Sequence, residues 1–527
     1  MINRRRFLIN ATVFAGGTLI YRSHPAFTAS SDKSFWLDTN TVLGHLKVVT
    51  DSPSHLVPLN YTGLSYELAQ LMDPKFFSAS NKDLVALFKI LSPRGVLRLG
   101  GNSSESCWLK VDSSTTEPEL KIPDIKDSEH WMPSKLFMIP AESIPELADF
   151  LRATGWQLIY GLNFGHSSPD RLAREAGFIA KHVPPDQLLY FQIGNEPDFY
   201  RDIINRTRPA NWGFNDYIKE WTACADAISQ RVPDAVFGGP DVGASSDWIR
   251  RFIPAAEQNL GKRVVAVTGH YYASGPPDNP DVTIQNLLRN NPNIGKSAKE
   301  IVDLAAQNHL YYRMTEGNSC YRGGKPGMSD TLASALWGGD YVLTLAAAGC
   351  AGVNLHGGSR NILKAALGNH LPGEQIENES SDSKGSFYTP IAGEVNYGFK
   401  ARPIFYGMML ANQFAETEMK DVVLEAGNIN ATAYAGKAKD GWRIAVFNKD
   451  AYNDLDLKAE LPEPVNNARI WRLTGPGIDA TKDVSLAGAV VGSDLSWKPA
   501  TAEKCKVNKN QCRLTIPHYS AALLFLK

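Results

Sequence analysis

The segment YFQIGNEPDFY, residues 190–200, decides how the rest of the chain is read. Apolar residues lead directly into Gly194, Asn195, Glu196, Pro197 and Asp198. A continuous apolar run without polar alternation suits a parallel strand covered on both faces. Pro197 stops such a strand, because proline has no N–H for the ladder. The run therefore delivers a carboxylate, Glu196, at its carboxyl-terminal tip. One tip of this kind is also what an ordinary strand-to-loop junction looks like, so its neighbours in the chain must decide.

Outward from it, runs of the same type recur between residues 59 and 356. They are GLSYEL from Gly63, GVLRLGG from Gly95, QLIYGLNFG from Gln157 and LLYFQIGNE from Leu188. AVFGGPDVG from Ala235, VVAVTGHYY from Val264, YYRMTEGNS from Tyr311 and AGVNLHGG from Ala351 complete the set. Helix-length segments lie between them. One of these, SIPELADFLRATG, opens with the capping-box spacing Ser143-x-x-Glu146. Eight strand–helix units in succession predict a (β/α)8 TIM barrel over residues 59–402 rather than an open doubly wound sheet. No GxGxxG follows the first strand, which weakens a dinucleotide-binding reading. Beyond residue 402, short β-branched and aromatic stretches separated by Gly, Pro, Asn and Asp predict an antiparallel β-sandwich over 403–527. TVLGHLKVVTDSPSHLVP, residues 41–58, has the same character, so residues 31–58 are expected to add strands to that sandwich.

Charge and composition narrow the function. The 527 residues carry a net charge of −1, against nucleic acid or an anionic membrane surface as the main partner. Arg4 and Arg5 precede Phe7, Leu8 and a short apolar run, which resembles a bacterial twin-arginine export signal over residues 1–30. A periplasmic or secreted protein follows, with no membrane span after signal removal, since no later stretch offers ~18 consecutive apolar residues. Six cysteines are few for this length. Cys505 and Cys512 flank a plausible turn, and export would permit a bridge there. No CxxC or HExxH spacing appears, so no metal is expected.

In (β/α)8 barrels chemistry sits at the carboxyl-terminal strand ends. The second strand ends near Arg98 and Asn102, and the fourth on Asn195 and Glu196. The sixth ends on His270, Tyr271 and Tyr272, the seventh on Glu316, and the eighth on Asn354 and His356. Carboxylates on strands four and seven can face each other across the mouth. Retaining glycosidases need such a pair ~5–5.5 Å apart, one as nucleophile and one as acid/base. Blander readings stand beside this one. A single strand-end Glu is usually a surface or capping residue, Asn102 suits a turn, Arg98 an ion pair at the mouth, and His270 and His356 structural roles. Cys320 with His356 would be the seed of an acyl-transfer site, but no nucleophile elbow accompanies them.

The stretches GLSYE, RLGGNS, IGNEPD, TEGNS and GVNLHGG, in this order, resemble glycoside hydrolase family 79. That family holds β-glucuronidases and heparanases, within clan A of retaining glycosidases. The likeness runs from about residue 60 to 400. It implies retention of configuration, no cofactor, and a glycan or glycoside that contains glucuronic acid. Carried onto this chain, it makes Glu196 the acid/base and Glu316 the nucleophile, with Asn195 on the sugar 2-OH and His356 lining the pocket. Tyr321 and Tyr388, with backbone N–H groups, would read the glucuronate carboxylate. Arg98 and one of Tyr271 or Tyr272 are expected to hold Glu316 ionised. Glu196, with no cationic neighbour evident in sequence, is expected to stay protonated. The long polar stretch at residues 359–386 is expected to wall off the cleft and favour exo action. Endo cleavage of the heparanase type, a xylosidase- or glucosylceramidase-like activity, and a non-catalytic glycan-binding role are the alternatives.

Overall fold

Each of the eight apolar runs forms a parallel strand, and together they close into a barrel: β1 Thr62–Glu67, β2 Val96–Gly100, β3 Gln157–Leu162, β4 Leu188–Ile193, β5 Phe237–Val242, β6 Val264–Tyr272, β7 Tyr311–Asn318 and β8 Gly352–Gly357. The structure, a computed structural model, describes residues 40–52, 54–120, 136–202, 207–367, 384–500 and 503–527. The expected export signal at residues 1–30 and positions 368–383 of the long polar stretch lie outside the described residues. Among the described residues no helix is long and apolar enough to cross a membrane.

Apolar runs become strands here because both faces are covered: every residue of β1, β2, β5 and β8 is buried. Inside the barrel, Val96, Ile159, Tyr190 and Ala266 pack as a layer away from the mouth. Arg313 of β7 is buried nearby, and burial lowers its pKa. Its Nε donates to Asn354 Oδ1 at 2.8 Å, and its remaining N–H groups reach the carbonyls of Asn60, Tyr61 and Ala351. A buried guanidinium is tolerable when its donors are satisfied in this way.

Strand register sets the mouth. His356 of β8 lies beside Ser65 of β1, Ser65 beside Arg98 of β2, and His270 of β6 beside Glu316 of β7. A register shift between Gly269 and His270 precedes the last pair. The capping box expected at Ser143 does not form. Ser143 is already helical and donates to Leu71 O at 2.7 Å, while Glu146 accepts from Ser78 Oγ. Contacts to the β1 loop satisfy both side chains better than the local cap would.

Beyond the barrel, two sheets face each other. Strand Asn40–Val48 pairs parallel with Asn453–Glu460 and antiparallel with Val422–Glu425. Strands Ala431–Ala438, Gly441–Asn448, Ser520–Leu526 and Ala468–Thr474 belong to the second sheet. Leu46, Ile444, Val446, Leu455, Leu457, Leu514 and Leu524 fill the space between them. The alternate residues Ala445, Phe447, Leu523 and Phe525 join the barrel core, which also takes in helices Leu332–Ala347 and Pro403–Asn412. Those two helices are buried almost all round, which accounts for their uniformly apolar sequences. Cys505 and Cys512 are free thiols, and Cys505 Sγ donates to Arg513 O at 3.2 Å rather than bridging to Cys512.

Candidate active site

At the mouth, Arg98 is the hub. It is buried, and every guanidinium nitrogen has a partner. Nη1 donates to Glu316 Oε2 at 2.5 Å and Ser65 Oγ at 3.1 Å. Nη2 reaches Asp241 Oδ2 at 2.6 Å and Asn195 Oδ1 at 2.7 Å, and Nε reaches Gln192 Oε1 at 3.1 Å. Burial opposes its charge, but the two carboxylates outweigh that and hold the guanidinium protonated.

Glu316 ends β7 among donors. Besides Arg98, the Tyr272 hydroxyl donates to its Oε1 at 2.8 Å. His356 Nδ1 stands 3.7 Å from Oε2, and His270 Nδ1 4.0 Å from Oε1. Burial would raise this carboxyl, yet the charges of His356, His270 and Arg98 and the Tyr272 hydrogen bond bring it down to about 2. These surroundings favour its carboxylate form.

Glu196 has the opposite surroundings. Burial pushes its pKa up, the charge of Glu316 adds to that, and His270 opposes both. His270 Nδ1 lies 3.1 Å from Glu196 Oε1, and its Nε2 is 3.2 Å from Asp241 Oδ1. Burial would lower this imidazole, but the charges of Asp241 and Glu316 raise it to about 10. Asp241 itself is held far below the usual carboxylate range: burial raises it, and Arg98, His270 and Thr315 overcome that. One oxygen of Glu196 and one of Glu316 lie within 4.8 Å of each other. That separation suits direct attack on a sugar carbon, whereas inverting pairs stand ~6.5–9.5 Å apart to admit a water.

Backbone geometry aims Glu196. The residue is left-handed, at φ 49°, which for a non-glycine costs roughly 1–3 kcal/mol. Its N–H donates to Asp241 O at 2.9 Å. The 3-10 turn Pro197–Phe199 follows, and the Asp198 carboxylate accepts from the N–H groups of Gly243, Ala244 and Ser245 at 3.0–3.1 Å. Gly194 before it, at φ 90°, has no room for a Cβ, which would meet the Tyr200 hydroxyl at 2.9 Å.

Of the residues singled out in sequence, Arg98, Asn195, Glu196, Glu316 and His356 come together at this mouth. His356 also contacts Ser65 Oγ at 2.9 Å and stands 3.5 Å from Glu67. Tyr388 is buried, its ring 6.2 Å from that of Tyr272 and 5.9 Å from His356. Tyr321 is half-buried and edge-on to Tyr272 at 6.3 Å, against Gly275. Asn102 is half-buried in the short turn Asn102–Glu105 after β2. Tyr271 needs correction: its ring stacks on Tyr341 at 5.3 Å, on the helix Leu332–Ala347, and Tyr272 is the residue that touches Glu316. Glu196 does have a cationic neighbour, His270, supplied through space. Cys320 is buried, its thiol pushed up to about 12 by desolvation, and it donates to Tyr321 O; such a thiol is not a nucleophile. Asp241, Gln192 and Thr315 were not singled out, although Asp241 stands at the tip of the quoted run AVFGGPDVG.

No protein-family model matches the chain. It is 26% identical over 310 residues to a β-glucuronidase of Aspergillus niger, covering 55% of this chain and 55% of the relative. It is also 26% identical over 354 residues to a β-glucuronidase of Neurospora crassa, covering 60% of this chain and 61% of the relative. The chain thus spans little more than half the length of either. Among solved structures, a 4-O-α-L-rhamnosyl-β-D-glucuronidase of Fusarium oxysporum superposes with a TM-score of 0.69 at 17% identity, covering 92% of this chain and all of the other. The chain is thus similar in sequence to fungal β-glucuronidases over more than half its length, and similar in fold to a solved glucuronidase over nearly all of it.

Proposed function

We propose that the protein is a retaining β-glucuronidase that removes a terminal glucuronic acid by double displacement. The observation that carries this reading is the Glu196–Glu316 pair: two carboxylates within 4.8 Å whose surroundings push one toward the acid and hold the other ionised. Glu316 attacks the anomeric carbon while Glu196 gives its proton to the departing glycosidic oxygen. The glycosyl ester that forms extinguishes the charge on Glu316. One of the forces raising Glu196 disappears with it, so Glu196 becomes the base that takes a proton from the incoming water. Water then displaces Glu316 from the sugar carbon, and both residues return to their starting states. Asn195 Oδ1 is committed to Arg98, which leaves its amide N–H groups as donors for the sugar 2-OH.

Glucuronate selectivity rests on the two named relatives and on the aromatic group around Tyr272. Tyr388 and Tyr321 flank that residue, and the glycine-rich segment beside Tyr321 approaches Tyr388, whose N–H donates to Gly323 O at 3.3 Å. We expect Tyr321→Phe to lower kcat/KM on an aryl glucuronide roughly ten- to a hundredfold, the worth of one hydrogen bond to a charged group at ~1.5–3 kcal/mol. The slow rate on the matching glucoside should hardly change, because glucose has no carboxylate to lose. Parallel losses on both would mean that Tyr321 only packs the loop. A wild-type preference for glucoside or xyloside over glucuronide would refute the substrate assignment and leave the two glutamates standing.

Exo action is supported by the segment after β8. Leu363 and Leu367 pack with Tyr388 and with Tyr272, whose hydroxyl donates to Glu316. Size-exclusion chromatography of a digested glucuronic-acid-containing polymer should show monosaccharide beside nearly full-length chains. Mid-length fragments would argue for endo cleavage instead.

A further inference from the structure

Three consecutive N–H groups hold the turn that carries Asn195 and Glu196. Gly194 N donates to Leu162 O on β3 at 3.1 Å, and Glu196 N to Asp241 O on β5 at 2.9 Å. Both are main-chain bonds to neighbouring strands. The middle one is different: Asn195 N donates to a side chain, Glu105 Oε1, at 2.7 Å. Glu105 is buried at the end of the turn after β2, and its other oxygen accepts from Gly165 N beyond β3. Gly165 permits this approach, since a Cβ there would stand 2.8 Å from Glu105 Oε2. Arg208 fastens the same segment from the far side, donating to the carbonyls of Phe164 and Gly165 at 3.0 and 2.9 Å.

We infer that Glu105 is a positioning residue for the acid/base, its carboxylate stapling the ends of β3 and β4 so that Asn195 and Glu196 face the sugar. This rests on the reading of Glu196 as acid/base. Two oxygens that each accept a main-chain N–H favour the ionised form: protonation makes one of them a hydroxyl, a weaker acceptor, and a glutamine turns an N–H donor toward one of those N–H groups. Burial raises Glu105 to about 7, against the Tyr200 hydroxyl, the two N–H groups and Arg208, which favour its charge. Cys107, which opens the strand Cys107–Lys110 just after this turn, is a further titratable neighbour. Ionised Glu105 is therefore lost as pH falls through about 7. Glu316 at about 2 and His270 at about 10 do not titrate there. Glu175, also near 7, is bonded to Tyr160, away from the turn.

The test is kcat/KM on aryl glucuronides of graded leaving-group ability, from pH 5 to 9, for wild type, Glu105→Gln and Glu196→Ala. At pH 8 Glu105→Gln should lose roughly ten- to a hundredfold on poor leaving groups, the scale of a 1 Å misplacement, and clearly less on activated ones. In wild type, dependence on the leaving group should steepen below pH 7, and the variant should lack that change. Loss of Glu196's own proton acts in the reverse sense, as pH rises. Equal losses by Glu105→Gln on all substrates, beside a steep dependence in Glu196→Ala, would overturn this proposal alone. A flat Glu196→Ala series would overturn the acid/base reading and this proposal with it. Should Glu105→Gln not fold, the wild-type profile decides: absence of steepening on the acid side overturns the proposal.

Discussion

Glu316→Gln is expected to lose turnover by roughly a thousandfold or more while folding normally. An amide cannot form the glycosyl ester, so what is lost is the covalent step itself. The fold should survive because Arg98 keeps Asp241 as a partner at 2.6 Å, and the amide oxygen can still accept from Arg98 Nη1. The amide N–H group can in turn donate to the Tyr272 oxygen, whose own O–H gives up its bond to residue 316. The measurement is initial rate on an activated aryl glucuronide, with a thermal unfolding curve as the control for folding. A rate above about a tenth of wild type, in protein free of contaminating enzyme, would remove Glu316 from the nucleophile's role. The variant has a second signature. With the charge of Glu316 gone, one of the causes that raise Glu196 is gone too, so its carboxyl should titrate lower than in wild type.

Why some of this site was legible in sequence, and some was not, has physical causes. The barrel showed itself because parallel strands covered on both faces must be continuously apolar, and polar residues then gather at their tips. Glu196 and Glu316 stand out against such runs for that reason, and Arg98 interrupts one. Tyr271 and Tyr272 could not be told apart because strand residues alternate in facing, and the register shift at Gly269 and His270 resets which of the two points inward. No sequence pattern marks that bulge. The charge on His270 was equally hidden, since it comes from Asp241 and Glu316 on the two strands that flank it, residues dozens of positions away in sequence. Ser143 and Glu146 failed as a cap for a related reason: the local pattern was right, and tertiary partners at Leu71 and Ser78 outcompeted it.

Glu196→Ala should divide substrates by how much help their leaving groups need. Protonation of a poor leaving group by a placed acid is worth ~10²–10⁴-fold, so simple alkyl glucuronides should lose that much. Nitrophenyl glucuronides leave well without a proton and should form the glycosyl-enzyme at nearly the wild-type rate. They should then stall, because the same carboxyl is needed as base for water. Removing it also opens space beside the sugar carbon and takes away a negative charge 3.1 Å from His270 Nδ1. An anionic nucleophile that needs no base is favoured in that space, next to an imidazole that the Asp241 carboxylate still biases toward its protonated form. Added azide should therefore restore turnover of the nitrophenyl substrate and yield the β-configured glucuronyl azide, the product of two inversions at one carbon. Equal losses on alkyl and nitrophenyl substrates, with no acceleration by azide, would leave Glu196 as a residue that only holds the sugar. An α-configured azide would be worse for the scheme, since it would mean a single displacement with no bond to Glu316.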